Sequence, residues 1–407
     1  MYARLCFGDF GGIVIKFMIM GESLGCCVAH LKIFGETIQS IITLFFNVNN
    51  TFLGNGKFYS ILIFLIILPF IFKDNISSLK KPSFLGDLSI VIFMIAIIIL
   101  FIYKLVSKSL PEFTWEFLFP KFDFIKAFNC ATALLEAYYF QAVIFAVYLS
   151  LQNRKNKVMK RITKKSLLFC TLLYALMGIL CLVMYGEETT ESVIGLFRKD
   201  LIQAKDNNLY IVILLLSVLS SLLVSSLFTF PLTFFALKLN FLNLCLVIKK
   251  RNNKKKINKS RNQPGTELKE SILEKSESKL EKSESKLEMN NSLEMTFPFI
   301  NEQQQKDKDN KNISVLPKCI KFLITFVLYL IILILALSAN EIIVVCVFVG
   351  STCSNVVTML APTLFLIVLS KINIFNTKYL WEKIVFCLGI LILITFFVVQ
   401  TYTIIYK

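Results

Sequence analysis

The chain has 407 residues, of which 56% are hydrophobic and 17% are charged, and its mean hydropathy is +0.69. A soluble domain has about 45–50% apolar and about 25% charged residues, so this composition excludes an ordinary soluble protein. The 44 basic residues outnumber the 27 acidic ones. Because this excess lies in particular loops between apolar runs, it indicates membrane topology rather than nucleic-acid binding.

Apolar segments long enough to be helices in a bilayer follow one another along the chain. We predict nine transmembrane helices, near residues 13–45, 57–73, 86–106, 127–150, 166–185, 209–237, 319–338, 342–369 and 382–405. The first segment is interrupted by polar residues, and the second is short and carries Pro69. Since backbone groups cannot stay unpaired in hydrocarbon, the sequence predicts an all-α polytopic membrane protein.

The predicted organisation has three regions. Residues 1–248 hold about six helices, residues 249–317 form a polar cytosolic loop, and residues 318–407 hold about three helices. The loop contains the heptad LEKSESK twice, at 273–279 and 280–286. One Leu per heptad is too few for a coiled coil, and the low hydrophobicity favours disorder. A regulatory segment and an inert insertion both fit this pattern.

The charges in the loops predict the topology. Residues 152–165 include seven basic and no acidic residues, and further basic residues lie in 73–87, 249–256 and 371–383, whereas 186–208 contains five acidic residues. Positive charge is enriched in cytoplasmic loops. The N-terminus and the basic loops are therefore predicted to be cytosolic, and with nine spans the C-terminus lies on the opposite side.

Polar residues within the apolar segments are the candidates for a transport site. Glu136 and Gln141 lie in the fourth segment, and Asn355 lies in the eighth. We predict that these three bind substrate, because a carboxylate in a span is costly unless it faces a partner or a cavity. For Glu136, a helix-end carboxylate that reaches a vestibule is an equal alternative.

Hydroxyl residues recur at every fourth position of the sixth segment, at Ser217, Ser221, Ser225 and Thr229. This spacing places them on one face of a helix. Hydroxyl oxygens suit Na⁺, so Ser221, Ser225 and Thr229 are predicted to bind a coupling ion. Packing of small residues against another helix is the alternative.

The stretch GESLGCCVAHLKIFGE, residues 21–36, contains the single histidine of the chain, His30. Zinc needs about three or four protein ligands, and the sequence has neither a second His nor a Cys pair with ligand spacing. We therefore predict no metal site, no cofactor and no enzyme. Gly21 and Gly25 form a GxxxG step, which lets another helix approach closely, but packing alone does not explain Glu22.

Several stretches resemble the amino acid/auxin permease family. FGDFGGIVIKFMIMGESLGCCVAHLKIFGETIQSII resembles the third transmembrane helix of that family, and LPFIFKDNISSLKKPSFLGDLSI resembles the Leu-Pro, basic loop and helix that follow. YLSLQNRKNKVMKRITKKSLLFCTLLYALMGILCLVMYGEETTESVIGLF is similar to the link between its sixth and seventh helices. FTFPLTFFALK and FVGSTCSNVVTMLAPTLFLIVL resemble its eighth and tenth helices. The order of these stretches covers nearly the whole chain outside 249–317.

The resemblance implies a LeuT-like bundle of inverted repeats. It also implies secondary transport of amino acids, with neutral ones expected, coupled to Na⁺ or H⁺. The implied partners are the amino-acid substrate and the lipid bilayer, in a vacuolar, other endomembrane or plasma membrane. A transport-inactive membrane sensor or scaffold is the alternative function.

The sequence also departs from the family pattern. If 13–45 corresponds to the third helix, the first two are missing from these residues. Gln141, Ala142 and Ala146 stand where the family often has His-Pro and a second Pro. We therefore expect an unbroken helix over 127–150 and no coupled uptake by these 407 residues alone.

Overall fold

The computed structural model describes residues 2–46, 54–72, 80–111, 122–139, 148, 151, 155–190, 192–204, 208–261, 318–339, 342–369 and 380–406. Within these residues all regular structure is helical. Seven helical stretches are long and apolar enough to cross a membrane, and one of them, Ile342–Val368, is built from several helical pieces. The chain is therefore an all-α polytopic membrane protein, as its composition predicts.

The helices follow the apolar segments in chain order. They are α1 (Tyr2–Phe45), α2 (Gly56–Ile71), α3 (Lys80–Val106), α4 (Phe124–Ala137), α5 (Asn156–Tyr185), α6 (Val193–Ala204), α7 (Leu209–Arg261), α8 (Lys318–Ser338), α9 (Ile342–Val349), α10 (Ala361–Leu369) and α11 (Leu380–Tyr406). A 3-10 turn, Gly186–Thr190, precedes α6, and two π-helical turns, Gly350–Ser354 and Val356–Leu360, join α9 to α10. We call residues 350–360 the π segment.

Two of the nine predicted spans are shorter than a bilayer needs. α2 has 16 residues and α4 has 14, whereas a spanning helix needs about 20. The described part of the chain thus shows seven full spans rather than nine.

Some helix boundaries in the structure also differ from the predicted ones. α1 begins at Tyr2 and contains a non-helical pair, Phe7 and Gly8. The φ of Gly8 is 61°, which glycine adopts without strain. Basic residues predicted as loops continue helices instead, 156–165 at the start of α5 and 249–261 at the end of α7.

The chain divides into two compact units. The smaller unit comprises Met1 and Leu239–Leu323, and its described part is the end of α7 and the beginning of α8. The LEKSESK repeat lies outside the described residues. The larger unit comprises Tyr2–Lys238 and Ile324–Lys407.

A hydrophobic core in the larger unit lies between α3, α5, α6 and α7. Its fully buried side chains are Ile97, Leu100, Phe197, Leu201, Leu215, Val218 and Leu219. Large apolar side chains such as Ile95 and Leu172 remain exposed on the outside. Lipid tails are as apolar as these side chains, so their exposure is what a bilayer allows.

A polar clamp joins α3, α5 and α6 at one end of this core. The Nζ of Lys104 lies 2.6 Å from Oδ2 of Asp200 and 4.1 Å from the centre of the Tyr185 ring. The Tyr185 hydroxyl donates a hydrogen bond to the same Asp200 oxygen at 2.7 Å. Because the ammonium, carboxylate and hydroxyl groups pair with one another, they hold α6 against the ends of α3 and α5.

α1 packs against the segment 342–369, and two of its glycines permit the close approach. A Cβ built on Gly21 would lie 2.7 Å from Sγ of Cys353, and one built on Gly25 would collide with Val349. The predicted GxxxG contact is therefore confirmed, and its partner is α9 with the π segment.

Candidate functional site

α4 ends in the middle of the predicted fourth span. Its last helical residue is Ala137, and Tyr138 (φ −93°, ψ 10°) leaves the helical conformation. The expectation of an unbroken helix over 127–150 is therefore wrong at this point. Glu136 thus lies one residue before a helix C-terminus.

Tyrosine hydroxyl groups explain this helix end, which has neither Pro nor Gly. The Tyr174 hydroxyl on α5 donates to the carbonyl oxygen of Ala137 at 3.2 Å, and the Tyr138 hydroxyl donates to Oγ1 of Thr171 at 2.9 Å. A terminal carbonyl needs such a partner because it has no intrahelical one. These hydrogen bonds with α5 therefore stabilise the end of α4.

The Glu136 carboxylate is the centre of a polar cluster. Its Oε1 accepts a hydrogen bond from the Cys26 thiol on α1 at 2.9 Å, and its Oε2 accepts a short one from the Ser354 hydroxyl in the π segment. Cys26 Sγ also lies 3.4 Å from Oε1 of Glu22, one turn earlier on α1. We call Glu22, Cys26, Glu136 and Ser354 the acid–thiol cluster.

The two carboxylates of the acid–thiol cluster share a small volume inside the bundle. The Glu22 side chain is buried, with 3% exposure, and both carboxylates contact the same thiol sulfur. Two negative charges this close, away from water, are stable only with a proton or a cation between them. The cluster is therefore a place where a positive charge is favoured.

The Tyr139 hydroxyl faces this cluster from just beyond the end of α4. It lies close enough to Glu22, Cys26 and Glu136 for electrostatic interaction. Its oxygen is buried and has no hydrogen bond of good geometry. The Tyr139 hydroxyl is therefore a further polar group beside the carboxylates, and it interacts with Glu22.

Gly350 allows α4 to reach the π segment. A Cβ built on Gly350 would collide with the carbonyl oxygen of Thr132 on α4. One turn after Thr132, Glu136 meets Ser354. π-helical turns occur frequently at functional sites, and here they bring a hydroxyl to a partly buried carboxylate.

Comparison with known proteins identifies the family. Residues 1–405 match the sequence profile of a family described as "Transmembrane amino acid transporter protein". The chain belongs to this family. The family predicted from the sequence motifs is thus confirmed. No solved structure matches the chain, so a LeuT-like arrangement remains what the resemblance implies.

A yeast protein is also similar to this chain, but over a shorter stretch than the family profile matches. Vacuolar amino acid transporter 2 of Saccharomyces cerevisiae is 25% identical to this member of the transporter family over 202 residues. The alignment covers 47% of this chain and 40% of the yeast protein. The matched region is thus less than half the length of that relative.

The predicted substrate-binding residues lie in different surroundings in this transporter-family chain. Glu136 is in the acid–thiol cluster, and Gln141 lies outside the described residues. Asn355 is fully buried, and its Nδ2 donates to the carbonyl oxygen of Gly389 on α11 at 2.8 Å. Its Oδ1 is buried without a partner. Substrate binding by these residues stays a prediction, and Asn355 has in addition a contact that fixes α11.

The predicted ion-binding hydroxyls lie on α7 opposite α3. Ser221 Oγ donates to the Val218 carbonyl oxygen at 2.8 Å, and Thr229 Oγ1 donates to the Ser225 carbonyl oxygen at 2.8 Å. A Cβ built on Gly86 of α3 would stand 3.8 Å from the Ser225 oxygen and 3.9 Å from Thr229 Oγ1. These contacts favour the packing alternative, while ion binding stays a prediction.

Sequence reasoning missed most of the acid–thiol cluster. Glu22 and Cys26 are four residues apart, which places them on one helix face, and that spacing was a usable signal. Ser354 and Tyr139 gave no signal, because hydroxyl groups are common in membrane helices. The contact between Cys26 and Glu136 joins residues 110 positions apart, which no local pattern reveals.

Proposed function

We propose that this chain provides the translocation pathway of a secondary amino-acid transporter, with the acid–thiol cluster as its cation-binding site. The observation that carries the proposal is the contact of two carboxylates, the buried one of Glu22 and the partly buried one of Glu136, with one thiol at the C-terminal end of α4. Membership of the transporter family, and the name of the yeast relative, support amino acids as the substrate class.

The electrostatics of the cluster favour a positively charged group. The C-terminal end of a helix carries a partial negative charge, and the end of α4 adds this to the charges of Glu22 and Glu136. Broken helices in transporters bind cations through such ends. The α-ammonium group of an amino acid, or the coupling ion, is the group that this site would hold.

The same electrostatics restrict the substrate. An acidic amino acid would bring a second carboxylate close to Glu22 and Glu136, and like charges in a low-dielectric site repel strongly. The charges thus disfavour acidic substrates, and among the other amino acids we propose neutral ones because the resemblance to the family implies them. The relative is named as vacuolar, so we propose an endomembrane as the location.

We propose H⁺ rather than Na⁺ as the coupling ion. Two carboxylates that share a thiol can hold one proton between them, as in carboxylate pairs of enzymes. The hydroxyls of Ser221 and Thr229 donate to carbonyls of their own helix and keep their lone pairs free, so the preference for H⁺ rests on the carboxylate pair. A proton relay through Glu136 requires no further ligand.

Uptake of a labelled neutral amino acid into proteoliposomes tests this function. The 407-residue chain is compared with a version that carries any helices encoded upstream of Met1, each under a H⁺ gradient, a Na⁺ gradient and no gradient. We expect the H⁺ gradient rather than the Na⁺ gradient to drive uptake in whichever version transports. Folded protein of both versions without uptake under any gradient would support the sensor or scaffold function instead.

A further inference from the structure

The ligand atoms of the acid–thiol cluster already have the spacing of a metal site. One oxygen from Glu22, one oxygen from Glu136 and the sulfur of Cys26 all lie within 4.8 Å of one another. A tetrahedral zinc ion has bonds of about 2.3 Å to sulfur and about 2.0 Å to oxygen, so its ligand atoms are about 3.5 Å apart. The Cys26 sulfur lies 2.9 Å from one oxygen of Glu136 and 3.4 Å from one oxygen of Glu22, so the thiol would have to move away from Glu136 by roughly half an ångström to reach this spacing.

Two hydroxyl groups complete these surroundings. Ser354 donates to the Glu136 oxygen that the thiol does not contact, and hydrogen bonds of this kind orient a ligating carboxylate. The buried Tyr139 oxygen, which lacks a good hydrogen bond, faces the same group of atoms. It is available as a fourth oxygen ligand or as a donor to a carboxylate.

Although the sequence alone predicts no metal site, we infer that the acid–thiol cluster binds one thiophilic divalent cation of the Zn²⁺ class, with Cys26 as the ligand that selects it. On binding, the Cys26 S–H bond breaks, the proton leaves to solvent and a sulfur–metal bond forms. The thiolate and one carboxylate neutralise the two charges of the ion, and the second carboxyl group coordinates through an oxygen while keeping a proton. A thiolate favours Zn²⁺ or Cd²⁺ over Mg²⁺ and Ca²⁺.

Binding of the cation does not depend on the proposed function. The effect of the cation on transport, however, rests on that function. If the acid–thiol cluster holds the substrate ammonium group or the coupling proton, a bound divalent cation occupies the same carboxylates. The cation is then an inhibitor of transport.

The binding test uses Cd²⁺ as the probe and the purified full chain in detergent. Titration followed by the ultraviolet Cd²⁺–thiolate absorption band is compared for the wild type, Cys26→Ser, Glu136→Gln and Cys27→Ser. Cys27 is the matched control, since it is the adjacent thiol and is fully buried. The chain contains 11 cysteines in all, so the difference from Cys26→Ser isolates the site.

We expect one Cd²⁺ per chain that Zn²⁺ displaces and excess Mg²⁺ does not. Cys26→Ser should remove it, Glu136→Gln should weaken it by about tenfold or more, and Cys27→Ser should leave it unchanged. Equal titrations for the wild type and Cys26→Ser would overturn the inference.

A second measurement needs no variant and therefore does not depend on a mutant folding. Alkylation of wild-type cysteines is followed by mass spectrometry with and without Zn²⁺. Selective protection of Cys26, with Cys353 unprotected, is expected, and unchanged alkylation of Cys26 would contradict the site. In proteoliposomes, Zn²⁺ binding without inhibition of uptake would sustain the cation site and refute the proposed transport site.

Discussion

At the scale of single residues, buried polar groups organise this bundle. Tyr329 of α8 is fully buried; its ring stacks on Phe64 of α2 at 3.8 Å between centroids, and its hydroxyl donates to the Phe64 carbonyl oxygen at 2.7 Å. Phe230 and Phe234 of α7 enclose the same ring edge-on. Tyr329 therefore joins three helices through one hydrogen bond and one aromatic group.

Replacing Tyr329 with Phe should destabilise the protein modestly. The change keeps the ring but leaves the Phe64 carbonyl without its side-chain donor, which costs about 0.5–1.5 kcal/mol. Unfolding of the purified protein in mixed micelles measures the difference. Tyr210→Phe is the control, because that tyrosine is 57% exposed. A Tyr329→Phe protein as stable as the control would show that the buried hydrogen bond contributes nothing.

Sequence reasoning reached individual polar residues but not their partners. Glu136 was a candidate because a carboxylate in an apolar run is costly, and the structure places it in a polar cluster. Its partners Cys26 and Ser354 lie on distant parts of the chain. For Asn355, a predicted substrate-binding residue, the structure shows backbone partners instead. Its amide nitrogen donates to a carbonyl oxygen of α11 and to one of its own helical segment.

At the scale of elements, helix positions were predictable and their interruptions were not. Hydropathy locates a helix in a bilayer because the backbone has no other way to pair there, so each predicted segment contains a helix in its described part. The end of α4 depends on Tyr174 of another helix. The π segment packs against the Thr132 backbone at Gly350, and neither interruption appears as a local sequence signal.

Replacing Gly350 with Ala should separate α4 from the π segment. The added methyl group would meet the Thr132 backbone, and overpacking of this kind costs about 1–3 kcal/mol. Gly178→Ala on α5 is the matched control, since nothing lies within 4 Å of a Cβ built there. Thermal unfolding measures both. Equal stability of the two variants would contradict the close approach.

At the scale of the whole molecule, the two short helices decide the topology. The charge pattern requires nine crossings to place all basic loops in the cytosol, and the structure shows seven helices of full spanning length in its described part. Residues 73–87 lie on the same side of the membrane as the N-terminus only if α2 belongs to a crossing. Residues 152–165 lie on that side as well only if α4 belongs to another crossing.

We expect residues 73–87 and 152–165 on the cytosolic side and Lys407 on the opposite side. Protease protection of tags inserted at these positions, in sealed membranes, measures this. A tag at 186–208 is the control for the non-cytosolic side, because that stretch is rich in acidic residues. Detection of 152–165 and Lys407 on the same side would rule out the nine crossings.

The central claim is that the acid–thiol cluster binds the positive charge that drives transport, and replacement of Glu136 by Gln tests it most directly. The measurement is H⁺-driven uptake of a neutral amino acid by whichever version of the chain transports. The control is Glu188→Gln, which removes an exposed carboxylate whose ion pair with Lys199 spans 3.6 Å. Hydrogen bonds to charged groups are worth about 1.5–3 kcal/mol, so Glu136→Gln should lower gradient-driven uptake by about tenfold or more, and the control should keep the wild-type rate. Wild-type uptake by folded Glu136→Gln protein would contradict the account.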